Sequence, residues 1–281
     1  MIRFPLLLLA ITTWAGSAAA QYRGPRSADH LYSASVWGAR ALWVNPAALG
    51  IVNEASLMLE AMLERDPDAS YPLAQYTIGF NSRGFGFAFR HDGFHIPDAD
   101  GDSLISLGGN TWRLGFGRGR GRLAIGAAVS LYSGAERKQD VDLGLRYMLA
   151  RGLDLAIGVE HLGQPTVRDS SLRFTGAAGL SWTTLQGIVG LDAEIRAQNQ
   201  EIGSGYLMRY RGGLRIRTPG TVPIAATGAI ELDDGFDVRR VLLGLAVGAD
   251  YLASLVVGGR ENGSNTLTTA SLLAQASRRF R

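Results

Sequence analysis

Arg209, Arg211, Arg215 and Arg217 stand two by two around Gly213 in the stretch YLMRYRGGLRIR. An extended chain puts all four on one side and Tyr206, Met208, Tyr210, Leu214 and Ile216 on the other, whereas a helix would scatter them around its axis. Asp192 and Glu194 lie on the charged face of the preceding LQGIVGLDAEI, and Glu231 lies on the segment that follows. Opposite charges at similar height on neighbouring strands pair across the ladder. The chemistry these seven residues offer is electrostatic. They form either a salt-bridge mesh that stiffens an enclosed face, or a basic lining that favours anionic solutes if the enclosure conducts.

Other reactive residue types form no constellation. Asp98, Asp100 and Asp102 in PDADGDS alternate like the start of a calcium loop. The glycine is at the fourth place instead of the sixth, however, and Gly109 replaces the glutamate of the twelfth. The stretch reads as a solvated acidic loop with at most weak calcium affinity. His30, His91, His95 and His161 are scattered, and no serine, histidine and acid stand at places suggesting an acyl hydrolase. There is no phosphate loop, no nucleotide fingerprint and no cysteine. The expectation is a non-enzyme without a cofactor. A net charge of +3, with no basic cluster interleaved with aromatics, gives no basis for a nucleic-acid partner.

The elements that carry these charges repeat one pattern, strict alternation from residue 54 onward. In VDLGLRYML, Val141, Leu143, Leu145, Tyr147 and Leu149 oppose Asp142, Gly144, Arg146 and Met148; LDLAIGVE and EASLMLEAMLE behave alike. The second face is glycine, small or charged, and the chain holds 37 glycines and 9 prolines. A soluble sandwich would put lysine, threonine and glutamate on that face; here Lys138 is the single lysine. Small residues on one face suit a confined lumen, and the apolar face suits lipid. The fold class is all-β, a transmembrane antiparallel β-barrel of about 14 strands.

The strands are expected near 54–64, 71–80, 84–91, 110–118, 121–132, 138–149, 153–161, 171–182, 185–196, 206–217, 222–232, 237–248, 250–260 and 266–280. Tight connections such as NSRG, ARG, TT and TPGT alternate with longer polar ones, as periplasmic turns and extracellular loops do. Aromatics gather at strand ends. Phe80, Phe85, Tyr147, Trp182, Tyr251 and Phe280 fall at the periplasmic rim and Trp112 and Tyr206 at the other, as two interfacial girdles would.

The first 20 residues have Arg3 as a positive start, an apolar run from Pro5 to Trp14 and the small residues Ala18-Ala19-Ala20. They read as a cleaved secretory signal peptide. Residues 21–51 come next as a plug or hatch segment, and residues 52–281 as the barrel. Within LWVNPAALG, Asn45 can cap a helical turn, Pro46 suits its first position, and Gly50 can end it. Leu42, Trp43, Val44 and Leu49 would be costly to leave in water, so the segment belongs in the periplasmic end of the lumen.

GARALWVNPAALG, Gly38 to Gly50, resembles the start of the FadL-like outer-membrane proteins, a superfamily that includes long-chain fatty-acid transporters and PorV/PorQ-type proteins of type IX secretion. Asn45, Pro46 and Ala47 carry the resemblance. It implies a fourteen-stranded barrel in the outer membrane of a Gram-negative-type bacterium, with the N-terminal segment inside. Two functions follow from it. One is a channel or transporter for small or hydrophobic solutes with an N-terminal hatch. The alternative is a closed barrel acting as a structural or interaction component in secretion or surface attachment. The implied partners are outer-membrane lipid, the barrel-assembly machinery, and either hydrophobic small molecules or secretion components.

Overall fold

The structure is a computed structural model that describes residues 31–51, 54–64, 73–93, 95–97, 104–106, 109–133, 138–167, 170–184, 186–199, 205–248, 251–259 and 267–279. Alternating sequence gives long strands. They are β1 (Glu54–Glu64), β2 (Leu73–Ser82), β3 (Phe85–Asp92), β4 (Gly109–Arg120), β5 (Leu123–Ser133), β6 (Lys138–Ala150) and β7 (Leu153–Glu160). The second half supplies β8 (Thr175–Thr183), β9 (Val189–Asn199), β10 (Tyr206–Arg217), β11 (Ile224–Leu232), β12 (Val238–Val247), β13 (Tyr251–Gly259) and β14 (Leu267–Arg279). Each pairs with the next, and β1 pairs antiparallel with β14 from Glu54 opposite Arg279 to Glu64 opposite Thr269. The sheet closes on itself as a barrel of 14 strands. Closure satisfies every ladder within the wall, the condition for crossing lipid with strands.

β1 and β10 have the expected bounds. β8 and β9 begin later than expected, for local reasons. Leu172 N–H donates to Pro165 O at 2.9 Å, and the chain before Thr175 folds back as a small hairpin of Thr166–Val167 with Ser170–Ser171. Before β9, Thr184 Oγ1 accepts from the N–H groups of Ile188 and Val189 at 3.1 and 3.2 Å, and Gly187 takes φ +69°. That left-handed glycine turns the chain ahead of Val189 and leaves Gln186 outside the strand.

The outer face is apolar. Leu57, Leu59, Ile78, Leu114, Phe116, Ile125, Leu143, Ile157, Leu214, Leu243 and Leu272 are all exposed, and they alternate with buried or half-buried residues. Phe80, Phe85, Trp112, Tyr147, Trp182 and Tyr206 also face outward; of Tyr251 only the backbone is described, and Phe280 lies outside the described residues. A contiguous apolar surface of this extent calls for lipid, not water.

The core is inside. A 3-10 turn (Gly38–Arg40), a single helical turn α1 (Ala41–Val44) and a second 3-10 turn (Pro46–Gly50) fill part of the lumen. Val36, Ala41, Leu42, Ala48 and Leu49 pack there against Ala88 of β3 and Ala128 of β5. The short N-terminal segment is a plug.

Candidate functional site

Non-strand backbone inside a barrel carries N–H and C=O groups that need partners. The lumen wall supplies them. Three plug carbonyls accept from inward arginines: Leu31 O from Arg211 at 3.1 Å, Val36 O from Arg146 at 3.0 Å and Leu42 O from Arg113 at 2.7 Å. Two plug N–H groups donate outward, Ser33 to Glu194 Oε2 at 2.7 Å and Ala39 to Ser56 Oγ at 2.8 Å. These five bonds reach β10, β6, β4, β9 and β1, so the plug is moored around much of the wall.

Asn45, Pro46 and Ala47 lie together in the second 3-10 turn and its cap. Asn45 Oδ1 accepts from Ala47 N–H at 3.1 Å, and Pro46 occupies the first helical position. The same side chain donates through Nδ2 to Ser33 O at 3.3 Å and to Leu145 O on β6 at 3.2 Å. One amide thus caps the turn, ties it to the start of the plug and fastens it to the barrel.

The turn packs on β4, β5 and β6 because the wall there lacks side chains. A Cβ at Gly126 would lie 2.5 Å from Ala47 N, and one at Gly117 would lie 2.5 Å from Pro46 O. Both neighbours are backbone atoms that cannot swing aside. The glycine-rich inner face is a seat shaped to this segment.

The charges of β9, β10 and β11 pair as their register requires. Glu194 is opposite Arg211, and Arg211 is opposite Glu231. Arg211 Nη1 donates to Glu194 Oε1 at 2.8 Å, and Arg209 Nη1 to Glu231 Oε1 at 3.3 Å. Arg211 also lies 4.9 Å from the centre of the Tyr32 ring. Burial pushes the Tyr32 hydroxyl up to about 12, with the Arg211 charge opposing. Asp192 is opposite Gly213, Arg215 lies against Gly190, and Arg217 is exposed at the end of β10. The seven charges therefore divide. Arg211 and Glu194 bind the plug and each other, Arg209 pairs with Glu231, and the remaining three stand outside those pairs.

The residues doing most at mid-lumen were not foreseen from sequence. Arg113 donates to Leu42 O, to Ser130 Oγ at 3.0 Å and to the Asp142 carboxylate. Arg146 joins Val36 O to Asp154 at 3.1 Å. Trp43 lies under two guanidinium groups, those of Arg90 at 4.9 Å and Arg113 at 5.3 Å. The signal available was the inward alternation of Arg113 with Gly115, Gly117 and Gly119, which places one charge above a bare strip.

Asp140, Asp142 and His161 offer ligand atoms within 4.8 Å of one another. Their atoms are engaged already. Asp142 accepts from Arg113 and from His161 N–H at 2.8 Å, and Asp140 accepts from Val141 N–H at 2.8 Å and contacts His161 Nδ1. A cation there would have to displace the Arg113 guanidinium, so the cluster reads as an ion-pair network. Asp98, Asp100 and Asp102 lie outside the described residues.

No protein-family model and no curated protein matches the chain. Solved structures do. The monoaromatic hydrocarbon channel CymD aligns with TM-score 0.59 at 11% identity, over 92% of this chain and 97% of that one. The Ralstonia pickettii toluene transporter TbuX aligns with TM-score 0.55 at 10% identity, over 87% of this chain and 94% of that one. A Pseudomonas aeruginosa FadL homologue aligns with TM-score 0.53 at 12% identity, over 92% and 98%. The chain has the fold of the FadL-like barrels. Within that FadL-like fold the ladders on both sides of β3 run unbroken, from Gln75 opposite Asp92 to Ser82 opposite Phe85, and from Phe85 opposite Phe116 to Asp92 opposite Gly109.

Proposed function

We propose that the protein is an outer-membrane barrel that passes small hydrophobic solutes, with residues 31–51 acting as its hatch. The observation that carries this reading is the mode of plug attachment. The plug is moored by hydrogen bonds between its backbone and arginine, glutamate and serine side chains of the wall, it rests on glycines with a small apolar contact, and so it can unseat without unfolding a strand. The solved channels and transporters of the same fold supply the solute class. In this reading export uses the signal segment of residues 1–20, and the outward aromatics mark the two membrane interfaces.

The unbroken ladders among the described residues favour movement through the lumen over exit between strands. The same closure and the same moorings favour the second reading, a sealed barrel serving as an interaction platform. Liposome swelling separates the two. Vesicles holding the chain that lacks residues 21–50 are expected to swell in small solutes faster than vesicles holding the full chain. If the shortened barrel folds, shown by its heat-modifiable mobility on gels, and swelling is no faster than in empty vesicles, the hatch reading fails and the platform stands.

A further inference from the structure

Inward side chains of the wall fall into two groups. Around the plug they are buried: Met58, Thr77, Ala88, Arg113, Ala128, Ala156 and Ser181. On β11, β12 and β13 most are half-buried, namely Ala225, Thr227, Leu242, Gly244, Ala246 and Val256, while Ala229 and Gly258 are buried. Register makes these one patch, since Thr227 is opposite Gly244 and Gly244 opposite Val256, with Ala225 opposite Ala246 one step below. The outward positions of the same strands carry Ile224, Ile230, Leu243, Leu245 and Leu255. A Cβ at Gly244 would meet Val256, Thr227 and the Leu255 carbonyl, all of the wall itself, in contrast to Gly126, where it would meet the plug. The plug's helical turns pack on β1 to β6. Among the described residues no helical turn covers this part of the wall, and it is uncharged up to Glu231 opposite Arg240.

Two orphan polar atoms stand at the border of the bare patch. Tyr32 Oη and Asp192 Oδ1 are buried and have no hydrogen-bond partner among the described residues. Tyr32 is 4% exposed and Asp192 9%. Both meet at Gly213: Asp192 is its cross-strand partner, and Tyr32 Oη lies 2.7 Å from where a Gly213 Cβ would sit. On its other side Gly213 is opposite Ala229 of β11, at the edge of the patch. Buried polar atoms without partners are rare and costly, and they point to a missing partner.

We propose that Tyr32, Asp192 and the bare wall of β11 to β13 form a binding site for a small apolar molecule carrying one hydroxyl group. The solute's O–H donates to Asp192 Oδ1, and its oxygen accepts from Tyr32 Oη. Its apolar body lies along Ala229, Thr227, Leu242 and Gly244. The site rests on the transport reading and narrows the solute from hydrophobic molecules in general to alcohols and phenols. Tyr32 belongs to the plug and Asp192 to the wall, so a bound solute touches hatch and barrel at once.

Isothermal titration calorimetry of the full chain in detergent, with 4-propylphenol and propylbenzene as probes, tests this. The phenol is expected to bind at least tenfold tighter. Tyr32→Phe and Asp192→Asn, both nearly isosteric, are each expected to weaken the phenol about tenfold and leave propylbenzene unchanged. Gly244→Leu is expected to weaken both probes. Equal affinity for the two probes, or a phenol affinity untouched by both polar variants, would mean that the orphan atoms hold only water, and the site would be overturned. If neither probe binds while the shortened barrel still swells liposomes, the site falls and the hatch reading survives.

Discussion

Arg113 is the residue on which plug and barrel most depend, because it serves both. Its guanidinium neutralises Asp142, holds Ser130 and donates to the carbonyl of Leu42. Arg113→Met leaves a buried carboxylate without its cation, a loss on the order of 3–5 kcal/mol. The expected outcome is a lower urea midpoint for the barrel, followed by tryptophan fluorescence. Arg113→Met with Asp142→Leu removes both charges and is expected to recover most of that midpoint without restoring the Leu42 mooring. Equal midpoints for the single and double variants would show that the unpaired Asp142 carboxylate costs nothing.

Tyr32 gives a prediction with a sign in pH. Seated, its hydroxyl ionises near 12; released into water, near its ordinary value of 10. The released form therefore loses its proton first as pH rises. Seating is full below pH 10 and weakens progressively between pH 10 and 12. The emission of Trp37 and Trp43 is expected to move to longer wavelength across that window. Tyr32→Phe removes a hydroxyl that makes no hydrogen bond among the described residues, so it is expected to seat as well as the native plug at pH 8 and to lose the alkaline shift. A shift of equal size in the variant would assign it to another group.

At the scale of the element, the seat is a matter of backbone meeting backbone. Gly126→Ala places a methyl group against the Pro46–Ala47 peptide, whereas Gly158→Ala places one no closer than 3.9 Å to Leu143 O. Both glycines face inward and both variants gain one carbon. The native chain has no cysteine, so an added Ala48→Cys reports on seating through its rate of reaction with a water-soluble maleimide. Gly126→Ala is expected to raise that rate at least tenfold and Gly158→Ala to leave it unchanged. Asn45→Ala removes a cap worth about 1 kcal/mol together with two further bonds, and is expected to raise the rate several-fold.

The barrel was legible in sequence because a period of two survives every local irregularity. The fourteen strands fall where alternation placed them, with shifts at β8 and β9 that depend on a threonine hydroxyl and a left-handed glycine. The short hairpins at His95–Pro97 with Leu104–Ser106 and at Thr166–Val167 with Ser170–Ser171 are too brief to alternate. The plug's moorings were hidden for a different reason. Arg113, Arg146 and Arg211 bind backbone carbonyls, which every residue carries, so no pairing of residue types marks their partners. Charge pairing across adjacent strands is written in residue types, and Arg211 with Glu194 was readable for that reason.

At the scale of the whole molecule, plug and wall are separable. The fourteen ladders close among strands alone, so removing residues 21–50 should leave a folded barrel with an open lumen. What that lumen would select follows from where its charges stand. Glu194 and Glu231 have arginine partners on β10, and Asp140 and Asp142 are held by His161 and Arg113. Arg211, Arg146 and Arg113 lose plug carbonyls when the segment goes, while each keeps an acidic partner. Arg215 and Arg217 stand closer to the end of β10 than the ion pairs do, and Arg217 is exposed there. A positive mouth raises the local concentration of anions and lowers that of cations. The shortened barrel in a planar bilayer, under a gradient of potassium chloride, is expected to show a reversal potential on the chloride side of zero. Arg215→Gln with Arg217→Gln should bring it to zero. A potassium-sided reversal potential in the shortened barrel would place the controlling charges among the carboxylates and remove the arginine mouth from the account.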